Sequence, residues 1–215
     1  MAKDGIPVVL ALILFAAIAA MGAFITHAAL LRYLVIISLP AIIFSIYFFR
    51  DPEREIPQED GTIVSPADGK VILIEKIKDK DHFGITVHRI SIFMSVFSVH
   101  VNRIPIDGKV SHFSYQKGKF HQAFRDDAAY ENEQTTIVIE NDNIKVQFKQ
   151  IAGIVARRIV CHIREGWNAK KGARFGMIKF GSRVDMLLPE EVVLSVKLNQ
   201  KVKGGETIIG RFQCR

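Results

Sequence analysis

The sequence predicts a mainly β (α+β) protein, in which a compact barrel-sandwich-like domain with one or two small helices follows an N-terminal apolar helical hairpin. Charged residues are absent from 5–31 and from 33–49, which is typical of two apolar helices. After residue 60, short runs rich in β-branched residues alternate with Asp-Gly, Asn-Asp and Gly-Gly turn signals. These runs are too short and too regularly interrupted for a helical domain.

The hairpin, residues 1–50, is predicted to attach the chain to a membrane. Its first uncharged run exceeds the roughly 20 residues that cross a bilayer, and the second is near the lower limit of about 17. Arg32 separates the two runs, and Pro40 divides the second. Two spans joined near residues 26–32 and a re-entrant hairpin both fit. A cleaved signal peptide is disfavoured because a second apolar run follows at once.

The charges around the hairpin predict its orientation. Lys3 precedes it, and Arg50 and Arg54 follow it, whereas Arg32 lies between the two apolar runs. Because basic flanks favour the cytoplasmic side, we expect both ends, and the domain that follows, on the cytoplasmic side of the inner membrane.

Residues 51–215 form the second predicted domain, which begins with the polar, proline-containing linker DPEREIPQED. This domain carries 26 Lys and Arg against 21 Asp and Glu, a formal charge of +5 that favours anionic lipid head groups. The basic residues are scattered among acids without a stacking-aromatic motif, so nucleic acid is not expected as a partner. Cys161 and Cys214 lack metal-ligand spacing and are interpreted as reduced thiols.

The strand-like runs of this domain share β-branched residues and partial alternation, and the best helix candidate covers residues 123–132. The runs are GKVILIEKI, GITVHRISIFMSVFSVHV, QTTIVIEN, NIKVQFKQIAGIVARRIVCHI and EVVLSVKL.

Two internal echoes fall within these strands. Residues 65–71 (SPADGKV) and 104–110 (IPIDGKV) share Pro-x-Asp-Gly-Lys-Val. A second pattern of turn, basic residue and spaced glycines recurs in REGWNAKKGARFGMIKFG and LNQKVKGGETIIGRF. This second echo is similar to the folded-over hairpins of biotinyl and lipoyl carrier domains. We interpret Asp107 in the second motif as an ordinary turn residue.

Gly181-Ser182, the only Gly-Ser in the chain, is the candidate for self-cleavage. It lies in the apolar, strand-like run RFGMIKFGSRVDMLLP and not in the polar setting of an ordinary turn. Gly181 has no side chain to block an attack on its carbonyl. An activated Ser182 hydroxyl that attacks this carbonyl would move the acyl group from nitrogen to oxygen, and elimination would leave dehydroalanine and then a pyruvoyl group.

The serine needs a base, because a free hydroxyl is a poor nucleophile. Among the seven histidines, His100 stands apart because it closes an apolar strand that runs into a turn, where its imidazole would be held and partly desolvated. Asp68, between Ala67 and Gly69 in a tight turn, is the candidate that orients His100, and its other reading is a turn residue that accepts a backbone hydrogen bond. Spacing along the chain does not show that Asp68, His100 and Ser182 meet.

Several long motifs, in order, resemble phosphatidylserine decarboxylase of the short, pyruvoyl-dependent type. They are SPADGKV, FMSVFSVHVNRIPIDGKV, GKF at 118–120, ENE at 131–133, QIAGIVARRIVC and RFGMIKFGSRVDMLLP. The resemblance covers nearly the whole chain from about residue 50 onward, and the preceding apolar hairpin also suits that family.

The resemblance implies a proenzyme that cuts itself between Gly181 and Ser182 into a β chain (1–181) and an α chain (182–215). Ser182 would become the pyruvoyl group that forms a Schiff base with phosphatidylserine, and decarboxylation would give phosphatidylethanolamine and CO2 in phospholipid biosynthesis. Asp68 and His100 would belong to the set used for maturation, with His100 also available as proton carrier. No metal is implied, and a homodimer is compatible with the sequence.

Two positions depart from the pattern of longer relatives. Those relatives carry two histidines three residues apart, whereas this chain has His100 and Arg103. The base for maturation and the proton carrier are therefore merged in His100 or reassigned. Arg183 also follows the Gly-Ser, where longer relatives often have Ser or Thr.

Two other readings stay open at the level of sequence. A non-enzymatic membrane-tethered β-sandwich adaptor explains the anchor, the strands and the Gly-rich echoes, although no heptad-rich helical hairpin accompanies them. A pyruvoyl decarboxylase of a soluble amino acid shares the chemistry but leaves the apolar hairpin without a purpose.

Overall fold

The computed structural model describes residues 1–119, 121, 131–153, 159–179 and 181–214. The chain divides into two compact units, Met1–Pro52 and Glu53–Arg215. The helix expected at 123–132 falls almost wholly outside the described residues.

The first unit is a hairpin of two apolar helices. A 3-10 turn, Lys3–Gly5, leads into α1 (Ile6–Thr26), and α2 covers Ala29–Phe48. His27 ends α1 in the left-handed conformation (φ 55°), and Pro40 lies inside α2. Both helices are long and apolar enough to cross a membrane, with mean hydropathies of 2.8 and 2.2. They suggest membrane association, and the predicted helical hairpin is confirmed.

The second unit contains fourteen strands in its described residues. Their bounds are β1 Thr62–Val64, β2 Gly69–Lys78, β3 Thr86–Met94, β4 Val101–Arg103, β5 Gly108–Gln116, β6 Gln134–Glu140, β7 Lys145–Ile151, β8 Ile159–Cys161, β9 Asn168–Ala169, β10 Arg174–Ile178, β11 Ser182–Pro189, β12 Val193–Leu194, β13 Lys201–Val202 and β14 Ile208–Arg211.

These strands form one large curled sheet and two small ones, and every paired strand is antiparallel to its neighbour. The large sheet has the order β13-β2-β3-β11-β7-β6-β5-β9, and the small sheets are β1-β14-β12 and β4-β10-β8. Their facing side chains form one apolar core that includes Ile90, Val184, Met186 and Phe148. The mainly β fold is thereby confirmed.

The two Asp-Gly motifs each begin a long strand of the large sheet, β2 and β5. A Cβ at Gly69 would lie 2.3 Å from the carbonyl oxygen of Phe93, and one at Gly108 would lie 2.5 Å from that of Glu140. Both glycines are therefore required by a close approach of the neighbouring strand. The motifs connect strands of different sheets, whereas the hairpin predicted at 141–143 joins the paired strands β6 and β7.

Candidate functional site

Ser182 is the first residue of β11 and lies opposite Met94, the last residue of β3. The serine is 0% exposed, and its hydroxyl donates to Met94 Sδ at 3.5 Å. A thioether is a weak acceptor, so the hydroxyl is held without being strongly engaged. A Cβ built on Gly181 meets nothing within 4 Å among neighbouring atoms, which leaves the preceding residue open to approach.

His100 lies on the connection between β3 and β4. This connection is a turn in which Ser98 N donates to Ser95 O at 2.9 Å, and it returns the chain to β4 directly after His100. The imidazole is 0% exposed, as its apolar neighbours in the sequence predicted, although His100 directly precedes β4 instead of closing a strand. Its use as a base stays a prediction.

Asn102, two residues further on, joins three segments at this end of the sheet. Its fully buried amide nitrogen lies 3.8 Å from Met94 Sδ, the same sulfur that contacts Ser182, and 3.4 Å from the carbonyl oxygen of Pro66. Arg103 N also donates to Pro66 O, at 2.9 Å. The segments that carry Asp68, His100 and Ser182 therefore converge around Met94 and Asn102.

Two more buried polar side chains fix the orientation of the Asn102 amide. Gln150 Nε2 donates to Asn102 Oδ1 at 2.8 Å, and Thr135 Oγ1 donates to Gln150 Oε1 at 2.9 Å. Because Asn102 Oδ1 accepts from Gln150, its NH2 group must face Met94 and Pro66. Sequence reasoning missed all three residues. The available signal was polar residues inside otherwise apolar strands.

Asp68 is held by groups from distant parts of the chain. Arg54 Nη2 donates to both carboxylate oxygens, at 3.0 and 2.8 Å, and Gly204 N donates to Oδ1 at 2.8 Å. Arg54, whose side chain is only 6% exposed, also contacts Glu206 at 3.4 Å. Sequence reasoning treated residues 51–60 as a linker and so missed Arg54. The role of Asp68 in orienting His100 stays a prediction.

The charge of Arg54 also acts on Glu206. Burial alone would raise the pKa of Glu206, but a hydrogen bond from Lys203 and the nearby Arg54 guanidinium lower it below its usual range. Asp68 and Glu206 thus each form an ion pair with the same nearly buried arginine, Arg54.

Arg103, which stands where longer relatives have a second histidine, packs into the turns of the small hairpins. Its Nη1 donates to the carbonyl oxygen of Gly172 at 2.9 Å, and its Cδ lies 2.8 Å from where a Cβ of Gly205 would be. Gly172 and Gly205 both have positive φ, near 80°. Arg103 therefore supports the turns beside the site.

Arg183 and Asp185 project from the face of β11 opposite to Ser182, because side chains alternate along a strand. Arg183 is 1% exposed and donates through Nη2 to Asp185 Oδ2 at 2.7 Å. Arg89 of β3 binds the same oxygen at 3.2 Å and also reaches Glu75. The arginine after the Gly-Ser is thus a buried structural cation.

The GKF and ENE motifs lie side by side, through a bridge between Lys119 and Asn132. Asn132 Nδ2 donates to the carbonyl oxygens of His121 and Ala152, at 2.8 and 2.7 Å, and its Oδ1 accepts from His121 N. Gly118 is required here, since a Cβ would lie 2.3 Å from Glu131 O. These motifs join two connecting segments beside β6 and β7.

Cysteine and metal chemistry find little support in the described part of the chain. Burial raises the pKa of Cys161 to about 11, so its thiol stays protonated near neutral pH and is a poor nucleophile. Within the described ranges, no group of three or more His, Cys, Asp or Glu is placed to hold a metal ion.

The segments that carry the buried Ser182, His100 and Asn102 meet at one end of the large sheet, an arrangement typical of an enzyme. Comparison with known proteins gives the family. Residues 42–210 match the sequence model of the family described as phosphatidylserine decarboxylase.

Individual relatives agree with this match. The phosphatidylserine decarboxylase proenzyme of Chlorobium phaeobacteroides is 51% identical over 175 residues, 81% of this chain and 82% of that protein. Those of Desulfotalea psychrophila and Syntrophus aciditrophicus are 44% and 41% identical over 212 residues, 98% of this chain and 96% and 97% of theirs. The chain belongs to the phosphatidylserine decarboxylase family, as its motifs predicted.

Proposed function

We propose that this protein decarboxylates phosphatidylserine to phosphatidylethanolamine and CO2, with a pyruvoyl group that it makes from Ser182 by cutting its own chain after Gly181. One observation carries the proposal. Ser182 is fully buried at the start of a strand, after a glycine whose side-chain position is open space among the described residues, and it contacts the same Met94 sulfur as the oriented Asn102 amide. The relatives named above are called proenzymes, which agrees with a precursor that is processed.

In the first step, His100 takes the proton of the Ser182 hydroxyl, and Oγ attacks the carbonyl carbon of Gly181. The C–N bond breaks and the acyl group moves to Oγ as an ester. Removal of the Ser182 α-proton then breaks the Cβ–Oγ bond, which leaves the Gly181 carboxylate and a dehydroalanine. Its tautomer reacts with water and releases ammonia, and the ketone that results is the pyruvoyl group.

Asn102 is the side chain best placed to stabilise the negative oxygen of the first step. Its NH2 group is buried and oriented by Gln150, and its contacts to acceptors in the described part of the chain are long, at 3.4 and 3.8 Å. A donor held in advance in a dry site stabilises a developing oxyanion without reorganisation, and such a donor contributes roughly 3–4 kcal/mol in other enzymes.

The residues around Ser182 also fit the pyruvoyl group itself. A ketone at this position needs a hydrogen-bond donor and protection from water, and Asn102 and the apolar side chain of Met94 offer both. The pyruvoyl carbonyl supplies an electron sink for the loss of the substrate carboxylate as CO2. His100, which is fully buried and lies two residues before Asn102, would then return a proton to the substrate α-carbon.

Asp68 would act through its charge and its position. Held by Arg54 and Gly204, it keeps the turn before β2 against the segment that carries His100 and Asn102. We propose that this carboxylate stabilises the imidazolium that forms when His100 accepts the serine proton.

The strand pairing would keep the β and α chains together after the cut. β11 pairs with β3 on one side and with β7 on the other, and β14 pairs with β1. Gly204, which binds Asp68, also belongs to the α chain. We place the protein at the inner membrane, with the catalytic domain on the cytoplasmic side, where the apolar hairpin keeps it near its lipid substrate.

The test compares Ser182→Ala with Ser91→Ala. Ser91 is also 0% exposed, and its hydroxyl has no hydrogen-bond partner within the described residues, so it is a matched control. Intact mass should show two chains for the parent protein and for Ser91→Ala, with a pyruvoyl-capped C-terminal chain of 182–215. Ser182→Ala should stay whole and release no CO2 from phosphatidylserine. An active parent preparation that consists of one uncut chain would refute the proposal.

A further inference from the structure

The end of the large sheet that carries Ser182 also presents an exposed aromatic residue. Phe97 lies three residues after Met94, the partner of Ser182, at the tip of the turn between β3 and β4. Its side chain is 66% exposed. The turn is not a loose loop, because Ser98 N donates to Ser95 O at 2.9 Å and the two hydroxyls lie 3.3 Å apart. The turn therefore keeps the phenyl ring of Phe97 largely exposed to solvent.

Two exposed lysines lie at the same end of the sheet. Lys70 of β2 is opposite Phe93, one position before Met94, and Lys201 of β13 is opposite Lys70. Both lysines are exposed. Like charges directly across a strand pair repel each other, so this pair favours an anionic surface that neutralises it.

We propose that Phe97, Lys70 and Lys201 form a docking rim that binds the surface of a bilayer containing anionic phospholipid, in addition to the anchoring provided by the apolar hairpin. The inference rests on the proposed function, since the substrate is then itself an anionic lipid. The rim adjoins the strand end at which Ser182 lies, so docking would bring the site to the level of the lipid head groups.

The composition of the rim fits this occupant. An aromatic ring at the boundary between head groups and acyl chains removes apolar surface from water, and lysines beside it bind anionic head groups. A protein partner would demand a larger apolar patch with a defined shape, whereas a single exposed ring with two lysines at the same end of the sheet suits a fluid, negatively charged surface.

Ile85 provides a matched control. It is 49% exposed and lies directly before β3, at the opposite end of that strand from Met94. Phe97→Ser and Ile85→Ser therefore each remove one exposed apolar side chain, at the two ends of the same strand. Because both side chains are exposed, neither change is expected to prevent folding, and equal melting temperatures would verify this.

The experiment uses the full-length, processed protein and two substrates. One is long-chain phosphatidylserine in vesicles with phosphatidylglycerol, and the other is dihexanoyl phosphatidylserine dissolved as monomers below its critical micelle concentration. Phe97→Ser should lower the rate on vesicles about tenfold, through a higher apparent KM, and leave the rate on the dissolved substrate unchanged. Ile85→Ser should match the parent protein on both substrates.

Charge reversal tests the lysines separately. Lys70→Glu with Lys201→Glu should reduce the rate on vesicles severalfold and remove its dependence on salt and phosphatidylglycerol content. Phe97→Ser that behaves like Ile85→Ser on vesicles would overturn the docking rim. A parent protein that decarboxylates neither substrate would instead overturn the proposed function, so the two failures are distinguishable.

Discussion

The two segments that share Pro-x-Asp-Gly-Lys-Val, residues 62–71 and 101–110, make equivalent backbone contacts, but the candidate site residue lies in the turn of the first and in the strand of the second. Val64 N donates to Pro105 O at 3.0 Å, and the corresponding Arg103 N donates to Pro66 O at 2.9 Å. The sheet order β13-β2-β3-β11-β7-β6-β5-β9 continues the correspondence, since each strand of one half has a counterpart in the other. The domain therefore has an internal pseudo-symmetry.

The aspartates of the two motifs make the same backbone contact. Gly204 N donates to Asp68 Oδ1 at 2.8 Å, and Lys171 N donates to Asp107 Oδ1 at 2.9 Å. Asp107 is exposed, as expected of an ordinary turn residue, whereas Asp68 is partly buried and is paired with Arg54. The shared contact is structural, and the arginine is what distinguishes Asp68.

The strands that precede the two motifs differ as well. Counted back from the motifs, His100 corresponds to Gly61 and Asn102 to Ile63. Asn102 and Ile63 occupy equivalent strand positions, opposite Gly176 and Gly210 respectively. The comparison teaches that the two motifs share the same backbone hydrogen bonds, whereas the candidate site residues His100 and Asn102 occur beside only one of them.

The largest expected effect is the difference between Asp68→Asn and Asp107→Asn. Asp68→Asn keeps the shape of the side chain but removes the charge proposed to stabilise the His100 imidazolium, so self-cleavage should slow by roughly 10²–10⁴-fold. Asp107→Asn should be cut at the parent rate, because its aspartate serves only the turn. A time course of precursor loss by intact mass measures both. Equal rates for the two variants would contradict the assignment.

A smaller effect is expected when Asn102 is replaced by its counterpart, as Asn102→Ile. Loss of the proposed oxyanion donor should slow the cut about a hundredfold. The change also leaves the Gln150 amide buried without its acceptor, which should lower the free energy of unfolding by about 1–3 kcal/mol. Gel-based processing and denaturant unfolding measure the two effects separately.

The two effects of Asn102→Ile can be separated within the same network. Adding Gln150→Leu and Thr135→Val removes all three polar side chains together, so stability should largely recover. Processing should stay slow, because the donor is still missing. A triple variant that cuts at the parent rate would reduce Asn102 to a structural role.

The smallest expected effect comes from Arg54→Gln, which removes the ion pair that Asp68 makes and that Asp107, among the described residues, does not. Self-cleavage should slow about tenfold, since a charge-assisted, bidentate pair that holds Asp68 is lost. The control is Arg174→Gln, because Arg174 also pairs with the segment after the hairpin, at 2.8 Å from Glu53, but is 42% exposed. Arg174→Gln should be cut normally, since exposed pairs contribute little. Similar slowing in both variants would show that cleavage depends on any ion pair that holds residues 53–54 to the domain, and not on the Arg54–Asp68 pair in particular.

The elements that follow local rules could be predicted from the sequence. The uncharged runs gave the two helices, and β-branched runs between turn signals gave the long strands and the hairpin at 141–143. The burial of His100 also followed from its apolar neighbours. These features depend on residues close together in the chain, where periodicity and turn chemistry decide.

The contacts that build the site depend on residues far apart in the chain. Arg54 and Asp68 are 14 positions apart, and Asn102 and Gln150 are 48 apart. Nothing near Arg54 in the sequence indicates that it will contact Asp68, and nothing near Asn102 indicates that it will contact Gln150. Sheet order and strand register decide both contacts. The repeated Pro-x-Asp-Gly-Lys-Val motif indicated that two segments are alike, but it did not indicate which of them lies at the candidate site.

The position of β11 in the middle of the large sheet has a consequence for how the active protein can be made. After a cut before Ser182, β11 would still pair with β3 on one side and with β7 on the other. The two products would therefore be hydrogen-bonded to each other as soon as they form. Such a pair cannot be assembled by mixing finished parts, because the longer product alone would expose two unpaired strand edges and a split core. If the proposed cut takes place, the protein would therefore have to be made as one polypeptide and fold before the bond preceding Ser182 is broken.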